Sequence, residues 1–354
     1  MEPTRRDILA LGLAAGASAA VGGGAALAGS AARPAPFGAA VYLPDLEADP
    51  RLGEAIAARC QRVTPVNELK WTYSRPAPDA FDFAAGDRIA DFARANGLAM
   101  HGHTLVWYAE LPDWVKSLSG AAEAEAALAK HIETTMLRYR DVARSWDVVN
   151  EPIPDVVRRP TDRRDSPWRA LLGDGYIERA FRLAHAVDPG AQLVINEYDV
   201  EHATEYFPAK RRAFAHLVRE LVEKDVPVHA VGLQGHLRGG VPIDSEELAV
   251  FVAEMRGLGL KILVTELDVI DAALPTPIEE RDMLVARQVE EFLKAITASG
   301  PIDSITTWGL TDRFTWIGWA YRRIDGTGNR PLPLDEDYRP KLMLDVIERF
   351  RRVA

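Results

Sequence analysis

The sequence predicts a single-domain α/β protein folded as a (β/α)8 barrel, the TIM-barrel architecture. Three observations carry that expectation. From residue 37 onward, short apolar β-rich runs alternate with amphipathic stretches of helical period. Eight such pairs follow one another, the number a closed parallel barrel needs. The residues at the C-terminal ends of the runs are heavily polar, as an active site at a barrel mouth requires.

In chain order the strands are expected at 38–42, 62–66, 99–105, 145–150, 192–196, 230–234, 262–266 and 304–308. The helices are expected at 50–59, 86–96, 122–140, 176–187, 208–224, 245–258, 279–299 and 340–350. Asn96-Gly97, Asp188-Pro189-Gly190 and Leu258-Gly259 fall where a glycine C-cap or a chain break should stop a helix. Neither a low-complexity linker nor a charge block marks a second domain, and no appended binding module is expected after the eighth helix.

Composition excludes more than it suggests. In 354 residues, 47% are hydrophobic and 27% charged, ordinary values for a globular enzyme with a large core. A net charge of −10 argues against nucleic acid as a partner, since phosphate binding needs a basic surface, and suits a neutral polymer. Cys60 is the sole cysteine, which rules out an intrachain disulfide and a CxxC metal or redox site. The N-terminus offers a reason. Arg5-Arg6 precede an uncharged Ala/Gly-rich stretch over 8–30, with a small-residue site at Ala26-Leu27-Ala28. This reads as a twin-arginine export signal over 1–30, used by proteins that fold before export, rather than a membrane anchor. The expected product is an exported monomer, periplasmic or secreted, with no membrane contact after cleavage.

At the strand ends the sequence places Asn67, Lys70 and Trp71; His101, His103 and Trp107; Asn150 and Glu151; and Asn196, Glu197 and Tyr198. It continues with Gln234 and His236, Thr265, Glu266 and Asp268, then Trp308, Asp312 and Trp316. One polar strand end is commonly a satisfied core residue; agreement across the strands is not. Glutamates ending strands four and seven can face each other across the mouth. Retaining glycosidases need two carboxyl groups about 5–5.5 Å apart, one protonated and one charged. Thr265 and His236 are placed to orient Glu266. Tryptophans 71, 107, 308 and 316 offer flat apolar faces that suit a pyranose ring, with core packing as the alternative for each.

The chain resembles glycoside hydrolase family 10, the xylanase family, over about residues 37–350. The resemblance rests on Thr64-Pro65-Val66-Asn67-Glu68-Leu69-Lys70-Trp71, Gly102-His103-Thr104-Leu105-Val106-Trp107 and Trp146-Asp147-Val148-Val149-Asn150-Glu151-Pro152. Val231-Gly232-Leu233-Gln234-Gly235-His236, Thr265-Glu266-Leu267-Asp268 and Thr307-Trp308-Gly309-Leu310-Thr311-Asp312 complete it. It implies a catalytic domain over 37–354 that cleaves β-1,4-xylosidic bonds in a polysaccharide or oligosaccharide with retention, using no metal and no cofactor. By position, Glu151 matches the acid/base and Glu266 the nucleophile. Asn150 matches the donor to the sugar 2-hydroxyl, and His236 the partner of the nucleophile. Asn67, Lys70, His103, Trp107, Gln234, Trp308 and Trp316 match the glycone lining, and Tyr198 an aromatic on the leaving-group side.

Departures from the family pattern sit around the same cleft. Val66 stands where a glutamate is usual, Tyr108 and Glu110 where a histidine and a glutamine are usual, and Glu197-Tyr198-Asp199 where Asp-Tyr-Asn is usual. The expectation is an intact hydrolytic pair with a rebuilt glycone side, favouring short or decorated xylo-oligosaccharides or another β-1,4-glycan. A transglycosylase would share the same intermediate. A non-catalytic sugar-binding protein is disfavoured because both carboxylates are present. A metal-dependent barrel hydrolase built on His101, His103, His236 and Asp268 would leave the glutamate pair without a role.

Overall fold

The computed structural model describes residues 33–204 and 206–353; the expected export signal lies outside them. The strands are β1 (Phe37–Val41), β2 (Arg62–Pro65), β3 (Ala99–Gly102), β4 (Ala143–Asn150), β5 (Gln192–Glu197), β6 (Ala230–Leu233), β7 (His236–Arg238), β8 (Lys261–Ile270) and β9 (Ser304–Thr307). The helices are α1 (Leu43–Ala48), α2 (Pro50–Arg59), α3 (Trp71–Ser74), α4 (Ala84–Ala95), α5 (Asp113–Lys116), α6 (Ala121–Tyr139) and α7 (Pro167–Leu172). They continue with α8 (Tyr176–Val187), α9 (Phe207–Glu223), α10 (Ser245–Gly257), α11 (Ile278–Thr297), α12 (Ile317–Ala320) and α13 (Leu342–Phe350).

Every strand pairing is parallel, in the order β6-β5-β4-β3-β2-β1-β9-β8, and a β6–β8 pairing closes the ring. The expected eight-stranded barrel is therefore present. The long helices follow their sequence cues. Asp49 caps α2 by accepting from the Arg51 amide at 3.1 Å, with Pro50 in the first turn where its missing N–H costs nothing. In α8, Ile177, Ala180, Phe181 and Ala184 recur on one face, and all are buried against the barrel. Cys60 is buried in the same core, and its thiol is pushed up to about 12 by burial.

Two strands differ from expectation, and both differences shape the mouth. The run expected at 99–105 leaves the ladder after Gly102. There the Asp147 carbonyl accepts from both the Leu105 amide (3.0 Å) and the Thr104 hydroxyl (2.9 Å), which turns the chain out of register. Gly102 is required because a Cβ would lie 2.0 Å from the Trp146 ring. The strand expected to stop at 266 runs on to Ile270, because β7 returns alongside it beyond the rim and pairs His236 with Asp268. Irregular register in β4, opposite both β3 and β5, bends that strand where Asn150 emerges. None of the described helices is long and apolar enough to cross a membrane.

Candidate active site

The barrel mouth opens into a cleft lined by Lys70, His103, Trp107, Asn150, Glu151, Tyr198, Gln234, His236, Glu266, Trp308 and Trp316, all expected from the sequence. Asn67, the remaining expected residue, is absent from the lining. It acts one step back, its Oδ1 accepting from the Lys70 ammonium at 3.1 Å. Tyr108 and Asp199 also reach the cleft, together with Arg238, Ile270 and Tyr321, which the sequence reading did not single out.

Glu151 is set by the backbone. Its amide donates to the Asn196 carbonyl at 2.8 Å, and it sits at φ 55° immediately before Pro152. A left-handed glutamate costs about 1–3 kcal/mol of strain, which the pairing on either side holds in place. The strained turn aims the carboxylate into the cleft, where it accepts from Trp107 Nε1 (2.8 Å), Gln234 Nε2 (3.1 Å) and Asn150 Nδ2 (3.2 Å). All three donors are neutral.

Glu266 lies inside β8, four residues before its end, and is 4% exposed. It accepts from Asn196 Nδ2 at 2.8 Å and lies 3.2 Å from His236 Nε2. The His236 Nδ1 meets Asp268 at 2.8 Å, and the other Asp268 oxygen accepts from Trp316 Nε1 at 2.8 Å. Burial opposes a charge on this imidazole, but Asp268 and Glu266 together outweigh it and hold its pKa well above the ordinary value. His236 is thus clamped between Asp268 and Glu266. Glu266 faces that imidazole, whereas the Glu151 carboxylate accepts hydrogen bonds from neutral donors alone.

Asn196 joins the two halves. It is fully buried, donates to Glu266 and to Asn150 Oδ1 (2.9 Å), and is itself oriented by the Thr265 hydroxyl, which donates to its oxygen at 2.7 Å. Gly232 makes room for it, since a Cβ there would sit 2.3 Å from its Oδ1. Thr265 therefore positions Glu266 indirectly, through Asn196.

Beneath the cleft, the Asp147 carboxylate sits 2.8 Å from His103 Nδ1 and 3.0 Å from His101 Nε2. Burial acts against its charge, yet the two imidazoles bring it down to about 2. The His101, His103, His236 and Asp268 set does not assemble, because His101 and His103 share Asp147 while His236 pairs with Asp268 on the other side. Among the described residues, His103, Asp147 and Glu266 do bring three ligand atoms within 4.8 Å of one another. His103 Nδ1 and Asp147 Oδ2 already bond each other at 2.8 Å.

Trp71 departs from the expected sugar-facing set. It is 2% exposed, donates through Nε1 to the Leu105 carbonyl at 2.7 Å, and stacks on His131 at 3.9 Å. It is a core residue that begins α3. Asp312 likewise turns away from the cleft to Lys341 Nζ at 2.7 Å. Val66, after β2, is half-buried and its side chain offers no acceptor. Glu68 cannot replace one: its carboxylate is buried and accepts the Leu43 and Asn67 amides at 2.7 and 2.9 Å. Lys70 is buried over the Trp107 ring at 4.8 Å. Burial lowers its pKa against the opposing pull of Glu266, Glu110 and Glu151. At the cleft end of β5, the Tyr198 hydroxyl accepts from Arg164 at 2.8 Å.

Comparison with known proteins agrees with this geometry. The family model for glycosyl hydrolase family 10 matches residues 26–349. An endo-1,4-β-xylanase B of Paenibacillus barcinonensis is 34% identical over 318 residues, covering 86% of this chain and 92% of its own. A β-1,4-xylanase of Dictyoglomus thermophilum is 34% identical, covering 81% of each chain. Xylanase 10B of Thermotoga petrophila, solved with xylobiose, superposes with a TM-score of 0.80 at 28% identity, over 90% of this chain and 94% of its own. Native xylanase 10C of Cellvibrio japonicus gives 0.82 at 29% identity, over 91% and 71%. With the family model spanning nearly the whole barrel, the chain belongs to glycosyl hydrolase family 10.

Proposed function

We propose that this chain is an endo-1,4-β-xylanase that cleaves β-1,4-xylosidic bonds in xylan or xylo-oligosaccharides by double displacement. The observation that carries the reading is the asymmetry of the two glutamates. Glu266, fixed inside β8 and bonded to His236 and Asn196, is held rigidly for attack, which assigns the nucleophile's role to it. A carboxyl group held by neutral donors can carry a proton and return it, which assigns acid/base duty to Glu151.

In this mechanism Glu266 attacks the anomeric carbon as Glu151 protonates the departing oxygen. Glu151 then takes a proton from the water that releases the glycosyl-enzyme. Trp308 and Trp316 supply apolar faces around the sugar, and Lys70 and Asn150 donate to its hydroxyls. The xylanases that resemble this chain, one of them solved with xylobiose, support xylose polymers as the substrate class. Val66 favours a second substrate preference within the same chemistry, for short or decorated oligosaccharides, because valine offers no acceptor where the family usually carries a carboxylate. Export through residues 1–30 belongs to the same proposal, resting on the paired arginines and the uncharged stretch after them.

The test is chemical. A 2-fluoro xylobioside with a good leaving group should trap the enzyme as a covalent adduct on the peptide containing Glu266. Digestion of xylan should release short xylo-oligomers. An adduct on another residue, or no adduct with continued turnover, refutes the double displacement. Activity confined to oligomers or aryl glycosides retains the mechanism and moves the substrate away from the polymer.

A further inference from the structure

The loop after β9 carries an aromatic side chain with no work to do in the fold. Trp319 in α12 is 78% exposed, whereas Ile317, two residues earlier in the same turn, is fully buried. Ile317 pins the turn to the barrel, and the helical rotation between the two residues turns Trp319 outward. An indole in water forgoes the burial that normally makes tryptophan worth its bulk.

This indole continues the cleft. Its ring lies 6.2 Å from Trp316, which packs edge-on against His236 at 5.2 Å and donates to Asp268. Tyr321, which lines the cleft and is 38% exposed, packs edge-on against Trp316 at 5.5 Å. A run of aromatic faces therefore leads from beside the nucleophile to the outer rim.

The platform is also held rigid. Asn329 Nδ2 donates to the Tyr321 carbonyl at 3.2 Å and to Asp271 at 2.7 Å. Arg323, 4% exposed, donates to the Leu274 carbonyl at 2.8 Å and to Asp325 at 2.6 Å. The exposed ring sits beside buried polar anchors, so stacking on it costs little ordering of the loop.

We propose that Trp319 is a distal carbohydrate-binding platform on which a further sugar of a β-1,4-linked chain stacks, beyond the residues that line the catalytic cleft. The proposal rests on the reading of the cleft as glycan-cleaving. One indole suits a pyranose face and is far too small for a stable protein interface, which buries about 1,200 Å² or more. Continuity with Trp316 and Tyr321 selects the same polymer that occupies the cleft.

The experiment uses the full chain carrying E266A, so that ligands survive, and titrates xylotriose and xylohexaose calorimetrically with and without W319A. Loss of one stacking face should weaken xylohexaose binding about five- to thirtyfold and shift xylotriose binding less than twofold, with W319F recovering most of the loss. Equal changes for both lengths, or none for the hexaose, overturn the platform. Failure of the E266A parent to bind either oligomer overturns the xylose reading, and this ligand with it. Sedimentation of the same proteins supplies the remaining check. A dimer that W319A converts to a monomer identifies the indole as a contact between copies and overturns the proposal.

Discussion

Replacing Asn196 by alanine separates the two chemical steps. The side chain donates to Glu266 at 2.8 Å and to Asn150 at 2.9 Å, and it is not among the residues lining the cleft. In the proposed double displacement, Glu266 gives up charge to the sugar in the first step and regains it in the second as the glycosyl bond breaks. A donor on that carboxylate stabilises the returning charge, so its loss falls mainly on release of the covalent intermediate. Hydrogen bonds to charged groups contribute about 1.5–3 kcal/mol, which slows that release by about ten- to a hundredfold. His236 still faces the second oxygen, which keeps the effect within that range. With an activated aryl xylobioside, rapid-mixing absorbance should show a burst of aryl alcohol followed by a slow steady state. KM should fall alongside kcat as the intermediate accumulates. A lower kcat with no burst and an unchanged KM would refute the assignment of Asn196 to the nucleophile.

Further outcomes follow from other parts of the structure. Glu151→Ala should stop hydrolysis of xylo-oligosaccharides while sparing the first step on aryl glycosides with good leaving groups, measured as the initial burst. Equal loss on both would contradict the acid role. Val66→Glu should restore a charged acceptor worth about 1.5–3 kcal/mol, visible as a ten- to hundredfold lower KM for xylotriose. An unchanged KM and product pattern would clear Val66 of responsibility. Burial raises Glu197 and Glu201 from 4.5 to about 7, and Asp312 from 3.8 to about 7, so each contributes stability that is lost as pH rises through that interval. Asp147, held down at about 2 by its histidines, contributes stability that is lost as pH falls from about 4. Glu197→Gln, Glu201→Gln and Asp312→Asn should each make Tm less sensitive to pH between about 4 and 7, and unchanged slopes would contradict these assignments. Arg5→Lys with Arg6→Lys should leave the enzyme in the cytoplasm, which activity in cell fractions reports.

Periodicity and strand-end polarity made the barrel legible before any coordinates, because alternation of apolar runs is a local property of the chain. Glu151 and Glu266 were legible for the same reason: each ends or follows an apolar run on the inward face. What escaped depends on three-dimensional register. Trp71 and Trp107 follow strand ends alike, yet Trp71 begins a turn that folds under Trp114 and Trp168, 5.9 and 4.8 Å away. Arg238 could have been found, since it is two residues after His236 and shares its face once β7 is recognised as a strand. Tyr321 could not, because its place at the rim is fixed by Asn329, Asp271 and Arg323 rather than by neighbours in sequence. Asn196 was visible as a polar strand end, but its function lies in holding other side chains, which no local pattern reveals.

The β7–β8 ladder beyond the rim gives the two halves of the site unequal mechanical footing. Glu266, His236 and Asp268 all ride on paired strands, so unlocking them requires opening the barrel wall itself. Glu151 sits one residue past its strand, in a strained turn that local breathing can release. Amide exchange should accordingly run faster around residues 151–155 than around 263–269. On the proposed roles, a molecule caught in that opened state would still have its nucleophile in place but lack its proton shuttle, so an activated sugar should glycosylate it and leave it stalled, an enzyme that has loaded and cannot discharge.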